Sequence, residues 1–267
     1  MSKQKRWSEL LELLAVDGTL DVEKAAASVA VSPATIRRDL DELAEQRLLI
    51  RTRGGAIAHG VSYELPLRYK SSRHVPEKQR IANAVADLVG EADIAVGLNG
   101  GTTTTEVARA LALRAAAVAA ERQGPSAGQV FTVVTNALNI AGELAVRPQF
   151  RVVVTGGVAR AQTYELVGQL TEGVLNQVVL DVAVLGVDGV DPQLGVMTHH
   201  EGEAGISRLF AERARKVIIA ADSSKMGKRA FARICGLDRV DVLVTDSGVG
   251  PDMAARLTEA GIEVIRV

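Results

Sequence analysis

The sequence predicts two domains of different class: a small, mainly α domain at the N-terminus and a larger α/β domain with a mostly parallel sheet. Three observations lead there. At 267 residues the chain is long for one compact unit and comfortable for two. Its 47 % hydrophobic residues include only 3 % aromatics, so the core must be built from Ala, Val, Leu and Ile. From Asp93 onward, Val-rich runs alternate with Ala-rich amphipathic stretches, the pattern of strands alternating with helices.

In the first fifty-seven residues, Trp7, Leu10, Leu11 and Leu14 recur at helical spacing, giving a helix that ends near Asp17-Gly18. Asp21 caps a short second helix through Val22, Ala25, Ala26 and Val29. After a tight turn at Ala30-Val31, Ser32 is a strong N-cap with Pro33 at the first helical position, where a missing N–H costs nothing. The third helix runs from Pro33 to about Gln46 and buries Ile36, Leu40 and Leu43. Ala34, Thr35, Arg37 and Arg38 are then left on its exposed first turns, the layout of a helix that enters the major groove of DNA. Leu48 to Ile57 reads as two short strands around a glycine turn, with Arg51 and Arg53 on one face as a wing for the phosphate backbone. Lys3, Lys5 and Arg6 add a basic arm, and Asp39, Asp41, Glu42 and Glu45 fall farther along the third helix, so basic groups gather on one surface. On spacing alone, a small helical bundle with a solvated charged face is the competing reading.

Composition narrows the rest. A net charge of −1 gives no support to nucleic-acid binding by itself, so the argument rests on how charge is distributed. Cys235 is the only cysteine, which excludes an internal disulfide and a cysteine-based zinc site and fits a reducing compartment. No stretch approaches the roughly 18 apolar residues of a membrane span, and Glu9 and Glu12 interrupt the apolar run after the basic start, unlike a signal peptide. A cytoplasmic protein without membrane association is expected.

Val31-Ser-Pro-Ala-Thr-Ile-Arg-Arg-Asp-Leu40 followed by Arg51-Thr-Arg-Gly-Gly-Ala56 closely resembles the winged helix-turn-helix signature of DeoR-type transcription regulators. The resemblance implies binding of double-stranded operator DNA through Ser32, Thr35, Arg37, Arg38, Arg51 and Arg53. Two positions depart from the family pattern: Arg47 stands where glycine usually ends the helix, and Arg53 where histidine precedes the paired glycines. A left-handed Arg47 costs about 1 kcal/mol, and Arg53 adds charge to the wing.

Residues 58–76 lose periodicity and collect Gly60, Pro66, Ser71, Ser72 and Pro76, a linker that is basic at Arg68, Lys70 and Arg73. The second domain is placed at 77–267, opening on a helix near Glu77. Strands are expected at Ile94–Leu98, Phe131–Thr135, Arg151–Thr155, Val179–Gly186, Val217–Asp222, Val240–Asp246 and Ile262–Val267, with helices from Thr104 to about Val118 and from Ala137 to Ala145. The stretch from Leu113 to Gln129 ends in Gly124-Pro-Ser-Ala-Gly128 and reads as a surface excursion. Such sheets bind ligands beyond the carboxyl ends of their strands. Those ends carry Asn99, Gly100, Gly101, Thr102, Thr103 and Thr104 leading into a helix, then Asn136, Gly156-Gly157, Asp188 and Lys225. Glycines, threonine hydroxyls and a helix start make an anion site, while plain helix capping is the bland reading of each loop alone. The Walker and dinucleotide glycine patterns are both absent, and no cofactor is expected.

Glu77-Lys78, Gly100-Gly-Thr-Thr-Thr104, Val133-Val-Thr-Asn136, Thr155-Gly-Gly157, Val167-Gly168 and Ala221-Asp-Ser-Ser-Lys225 also look like successive motifs of the DeoR effector domain, which is similar to ribose-5-phosphate isomerase. That likeness implies a sensor of a phosphorylated sugar or polyol, with Asn99 where aspartate is common. An isomerase fused to a DNA-binding domain is the alternative. In the isomerases an Asp-Gly-Ala-Asp stretch and a later lysine do the proton chemistry; here the comparable positions are Leu185-Gly-Val-Asp188 and Thr198, so acid and ammonium are replaced. A non-enzymatic adaptor is a third class. His199-His200-Glu201 with Glu203 lacks supporting metal-ligand spacing; it reads as a loop in which Glu201 and Glu203 accept hydroxyl protons, and no metal is expected. His59 and His74 fall in the linker without evident chemistry. The family likeness further implies a homo-oligomer, dimer or tetramer.

Overall fold

The structure is a computed structural model that describes residues 2–46, 48–57, 67, 74–90, 93–121 and 129–267. Arg47, His59, Arg68, Lys70, Arg73, most of the 58–76 linker and the Gly124–Gly128 excursion lie outside these residues. The chain separates into two compact units, Met1–Arg73 and His74–Val267.

In the first unit, α1 (Lys3–Asp17) ends at Gly18 in a left-handed conformation whose N–H bonds the Leu14 carbonyl. β1 (Thr19–Asp21) follows, then α2 (Val22–Ser28), capped by the Asp21 carboxylate on the N–H groups of Glu23 and Lys24. α3 (Pro33–Glu45) begins at Ser32, whose side chain accepts from the Thr35 N–H. β2 (Ile50–Arg51) and β3 (Gly55–Ile57) form the wing. Helix starts, stops and the buried Ile36, Leu40 and Leu43 agree with the sequence reading. β1 was not foreseen: it pairs antiparallel with β3, giving the strand order β1-β3-β2. Three residues are too few for alternation to register, and the pairing is long-range.

The second unit opens on α4 (Val75–Val89), two residues ahead of the expected start because Pro76 occupies its first turn. Seven strands make one wholly parallel sheet: β4 (Ile94–Leu98), β5 (Phe131–Thr135), β6 (Phe150–Val154), β9 (Leu180–Leu185), β12 (Ala214–Ala220), β14 (Val242–Thr245) and β15 (Glu263–Arg266). Their spatial order is β15-β14-β12-β9-β4-β5-β6. The chain therefore winds outward from β4 to β6 and then returns to β9, which puts a topological switch point between β4 and β9. One sheet face packs on α4 and α5 (Thr102–Glu121) through Ile81, Val85, Val107 and Leu111, and on α6 (Leu138–Ala145) through Ile140 and Leu144. The other face packs on Leu175 of α7 (Gln169–Leu175), Phe210 of α8 (Glu201–Arg213) and Leu257 of α9 (Pro251–Glu259).

The seven strands match those expected to within three residues at their ends. Five features were missed: α7, α8 and α9, the hairpin of β7 (Val158–Ala159) with β8 (Leu166–Val167), and an antiparallel trio of β10 (Gly189–Asp191), β11 (Gly195–Thr198) and β13 (Ala232–Cys235). Helix α8 corrects the reading of 199–203 as a loop: His200 caps it by accepting the Gly202 N–H at Nδ1, and Glu201 to Glu203 form its first turn.

The trio is tied down by a buried carboxylate. Asp191 accepts from Arg229 Nε at 2.6 Å and from the N–H groups of Gln193 and Leu194. The Arg229 bond, against the opposing cost of burial and helped by the two N–H groups, holds its pKa at about 2 instead of 3.8. A depressed folded pKa contributes stability above the unfolded value that is lost as pH falls through the folded one. Acid titration of the wild type is thus expected to lose stability progressively from pH 3.8 to about 2. Asp191→Asn should flatten that limb of a denaturation-midpoint profile; an unchanged profile would remove Asp191 from the account.

Candidate DNA-binding and effector sites

In the recognition helix, Ser32 Oγ lies 2.9 Å from Thr35 Oγ1, so the two hydroxyls fix each other at the helix start. Arg37 and Arg38 are exposed one turn on. Arg37 bonds Glu23 at 3.2 Å with both side chains more than half exposed (56 % and 68 %), a contact worth little in water. Arg38 makes no ion pair among the described residues. The wing arginines part company. Arg51 Nε donates to Asp41 at 2.6 Å and its Nη1 to the Gly55 carbonyl, so Arg51 braces the wing, while Arg53 sits exposed in the turn.

Two expectations about charge are corrected. Lys3 and Arg6 belong to α1, not to a free arm. Lys3 bonds Glu42 and lies 4.8 Å above the Trp7 ring; Arg6 donates from Nε and Nη2 to the buried Asp39, which also accepts the Trp7 indole N–H at 2.9 Å. The acids of α3 therefore interleave with the bases instead of standing apart: Lys3 meets Glu42, Arg6 meets Asp39 and Arg51 meets Asp41. Among the described residues, Arg38 and Arg53 make no ion pair, and Arg37 makes only the exposed one with Glu23.

In the second unit the expected residues do stand at the carboxyl ends of the strands, in two groups. The first surrounds the switch point. Asn99, which is buried, donates to the Gly186 carbonyl and Ser207 Oγ and accepts the Gly186 N–H. It ties β4 to β9 and has no donor left over. Gly100 is covered by Glu165, whose Oε1 would lie 2.6 Å from any Cβ there. The Gly101 carbonyl accepts from Thr104 and Thr105 hydroxyls at 3.2 and 2.6 Å, which closes the loop onto the first turn of α5. Thr103 and Thr104 are buried and Thr102 is half-buried. Asn136 donates from Nδ2 to Glu165 at 2.9 Å and to the Leu166 carbonyl at 3.1 Å. The Gly156-Gly157 turn has φ of 74° and 121°, and the Gly156 carbonyl accepts from Thr171, so this pair docks α7.

The second group joins Asp188, Thr198 and Lys225. Lys225 Nζ lies 3.5 Å from Asp188 Oδ1, and Thr198 donates to Oδ2 at 3.0 Å. Lys225 enters from a 3₁₀ turn, Ser223–Lys225, after β12, so the ammonium reaches Asp188 from a different strand than sequence comparison considered. Glu201 does not join either group; its side chain is 74 % exposed. Glu203 is the buried acid instead, bonded by Arg160 and by Thr163 Oγ1 at 2.5 Å. Sequence reasoning missed Arg160, Thr163 and Glu165, because they lie on the β7–β8 hairpin, whose two-residue strands leave no periodic signal.

A separate cleft of about 590 Å³ opens between α8 and β13, lined by Arg208, Arg233 and Arg239 among others. Arg208 and Arg239 donate there to backbone carbonyls of Ile234, Arg233 and Ala211, a packing role. Burial pushes the Cys235 thiol in this cleft up to about 11, so it is no nucleophile at neutral pH. Among the described residues, no three His, Cys, Asp or Glu side chains are placed to hold a metal ion, and no helix is long and apolar enough to cross a membrane.

Comparison with known families fits both halves of this geometry. A DeoR-like helix-turn-helix domain matches residues 6–60, and a DeoR C terminal sensor domain matches residues 73–247. The chain belongs to the DeoR family of transcription regulators. Among its curated relatives are the "Glycerol-3-phosphate regulon repressor" of Escherichia coli, 30 % identical with 99 % of each chain covered. The "HTH-type transcriptional regulator GlpR" of Haloferax volcanii is 32 % identical, covering 99 % of this chain and 98 % of that one. A "Putative aga operon transcriptional repressor" of Escherichia coli O157:H7 is 31 % identical over 98 % and 93 %. A solved ribose 5-phosphate isomerase A from Methanocaldococcus jannaschii aligns at a TM-score of 0.39 and 17 % identity, over 56 % of this chain and 53 % of that one. This DeoR-type chain is a DNA-binding transcription regulator, and its relatives are named as regulators, not enzymes.

Proposed function

We propose that the protein is a cytoplasmic repressor of carbohydrate or related catabolic genes, released from operator DNA by a phosphorylated sugar or polyol. The domains are assigned as 1–57 for DNA, 58–76 as linker and 77–267 for the effector. The observation that carries the reading is the Gly100-Gly101 loop at the β4/β9 switch point, opening into the N-terminus of the 20-residue α5. Free N–H groups at such a helix start favour a phosphate. Thr102 and Thr103 flank that phosphate, and Asn136, Asp188 and Lys225 read the rest of the ligand. Asn99, Gly156 and Gly157 shape the site from behind it, and Glu201 is left at its rim.

On the DNA side, Ser32 and Thr35 set the start of α3, Arg37 and Arg38 meet the major groove, and Arg53 meets the backbone beside a wing that Arg51 braces. A dimer or tetramer presents half-sites about 34 Å apart. Effector and operator then oppose each other by linkage, each weakening the other by the same factor.

A thermal-shift screen against phosphorylated sugars and polyols tests the effector, since a ligand of the folded state raises its melting point by mass action. A compound that raises the melting point and releases DNA in a gel-shift titration supports the reading; DNA affinity indifferent to every such compound overturns it. Arg38→Ala is expected to weaken operator binding by about tenfold or more with an unchanged melting point. Loss of a base contact would relax specificity at one position, whereas loss of a phosphate contact would lower the salt slope by about 1.

A further inference from the structure

The cleft between α8 and β13 takes no part in either site proposed above. Its volume of about 590 Å³ falls within the roughly 300–1,000 Å³ of small-molecule pockets. Arg208 comes from α8, Arg233 from β13 and Arg239 from the 3₁₀ turn Leu237–Arg239, so three elements bring guanidinium groups to one place. Backbone carbonyls, not carboxylates, hold two of them: Arg208 donates to Ile234 and Arg233, and Arg239 to Ala211. Among the described residues Arg208 thus spends two N–H donors, Arg239 one and Arg233 none, which leaves most of their donors over. Glu212 and Asp238 line the same cleft, yet among the described residues neither ion-pairs with any of the three. Burial raises the Cys235 thiol, while Arg239, Arg233 and Arg208 each act to lower it, so all three stand around its sulfur.

Like charges gathered in a cleft raise its potential for anions, and the guanidinium fork matches the oxygens of phosphate and carboxylate. We infer that this cleft is a second ligand site, for a small organic anion whose phosphate or carboxylate groups face Arg208, Arg233 and Arg239. Three arginines against two acids leave one positive charge in excess, so Glu212 and Asp238 favour a ligand that also carries hydroxyl or amino donors. The buried Ala211 and Ile234 give the cleft an apolar wall for the rest of such a molecule. The site is separate from the strand-end loops but shares elements with them. His199, just ahead of α8, donates its N–H to Asp188, and β13 pairs Ala232 with Thr198. Arg208, Glu212 and Cys235 lie toward the opposite ends of those two elements.

Cys235, the only cysteine, lines the cleft and reports on it. The test follows its carbamidomethylation by iodoacetamide in the full chain at alkaline pH, with adenosine 5′-phosphate, citrate or glutamate added. Sodium sulfate at equal ionic strength is the control. At a concentration well above its Kd, at least one of the three should slow labelling about fivefold or more relative to sulfate, by mass action. Arg233→Gln alters an exposed side chain with no bond among the described residues. It should weaken that ligand about tenfold in calorimetric titration, the loss of charge-assisted hydrogen bonds, with an unchanged melting point. Protection by adenosine 5′-phosphate supports a phosphate ligand, and protection by citrate or glutamate a carboxylate one. Labelling as fast with all three as with sulfate, or an affinity unmoved by Arg233→Gln, overturns the site.

Discussion

Gly55→Ala should strip the N-terminal unit of a large part of its stability and weaken operator binding. The added Cβ would fall on the backbone oxygen of Leu20 and within 2.8 Å of its carbonyl carbon, where β1 crosses β3. No side-chain rotation relieves a clash with backbone, so the strands must part. Overpacking typically costs about 1–3 kcal/mol and more when backbone is the obstacle. A domain of this size holds only about 3–8 kcal/mol in total, so the loss consumes much of it. Gly54→Ala is the matched control: nothing lies within 4 Å of its Cβ position, and the variant should keep wild-type behaviour. Hydrogen exchange of the α1–α3 amides in the full chain, beside a gel shift, checks the pair. Protected amides and intact DNA binding in Gly55→Ala would show that β1 does not pack on the wing.

Asp39→Ala is the second large effect expected. Its carboxylate, 3 % exposed, serves Arg6 and the Trp7 indole at once, and joins α3 to α1. Removing it strands a largely buried guanidinium, a change that costs about 3–5 kcal/mol. The double variant Arg6→Met with Asp39→Leu should recover most of that loss, because a buried pair replaced by apolar groups is often neutral. It stays short by the unmatched Trp7 N–H, about 1 kcal/mol. Chemical denaturation followed by Trp7 fluorescence, the chain's single tryptophan, reads both. If Asp39→Ala unfolds at the wild-type midpoint, the network contributes nothing to the fold. The same experiment separates structure from recognition, since Arg38→Ala should move DNA affinity without moving the midpoint.

Local chemistry was legible wherever it repeats or caps. Asp21, Ser32-Pro33 and Gly18 announced helix ends because each satisfies a terminal backbone group within three or four residues of itself. The parallel strands were legible because burial on both faces demands unbroken apolar runs such as Val182–Leu185. Three short strands were not: β1, β7 and β8 have three residues or fewer, too few for alternation to register. Helix α8 escaped because His199, His200 and Glu201 looked like chemistry, and its apolar face, Ala204, Ile206 and Phe210, was overlooked.

By itself, the sequence determined the two domain classes, the recognition helix with Arg37 and Arg38 at its tip, and the row of polar loops at one sheet edge. Spacing along a chain fixes which face a side chain shares, and motif order reflects a shared ancestor. Tertiary structure alone decided which of those polar groups are spent. Arg6, Arg51 and Asn99 are committed to Asp39, Asp41 and Gly186, while Arg38 and the oxygens of Asn136 and Asn139 have no partner among the described residues. Those partners lie 33, 10 and 87 residues away, a distance over which packing, not local pattern, sets who meets whom.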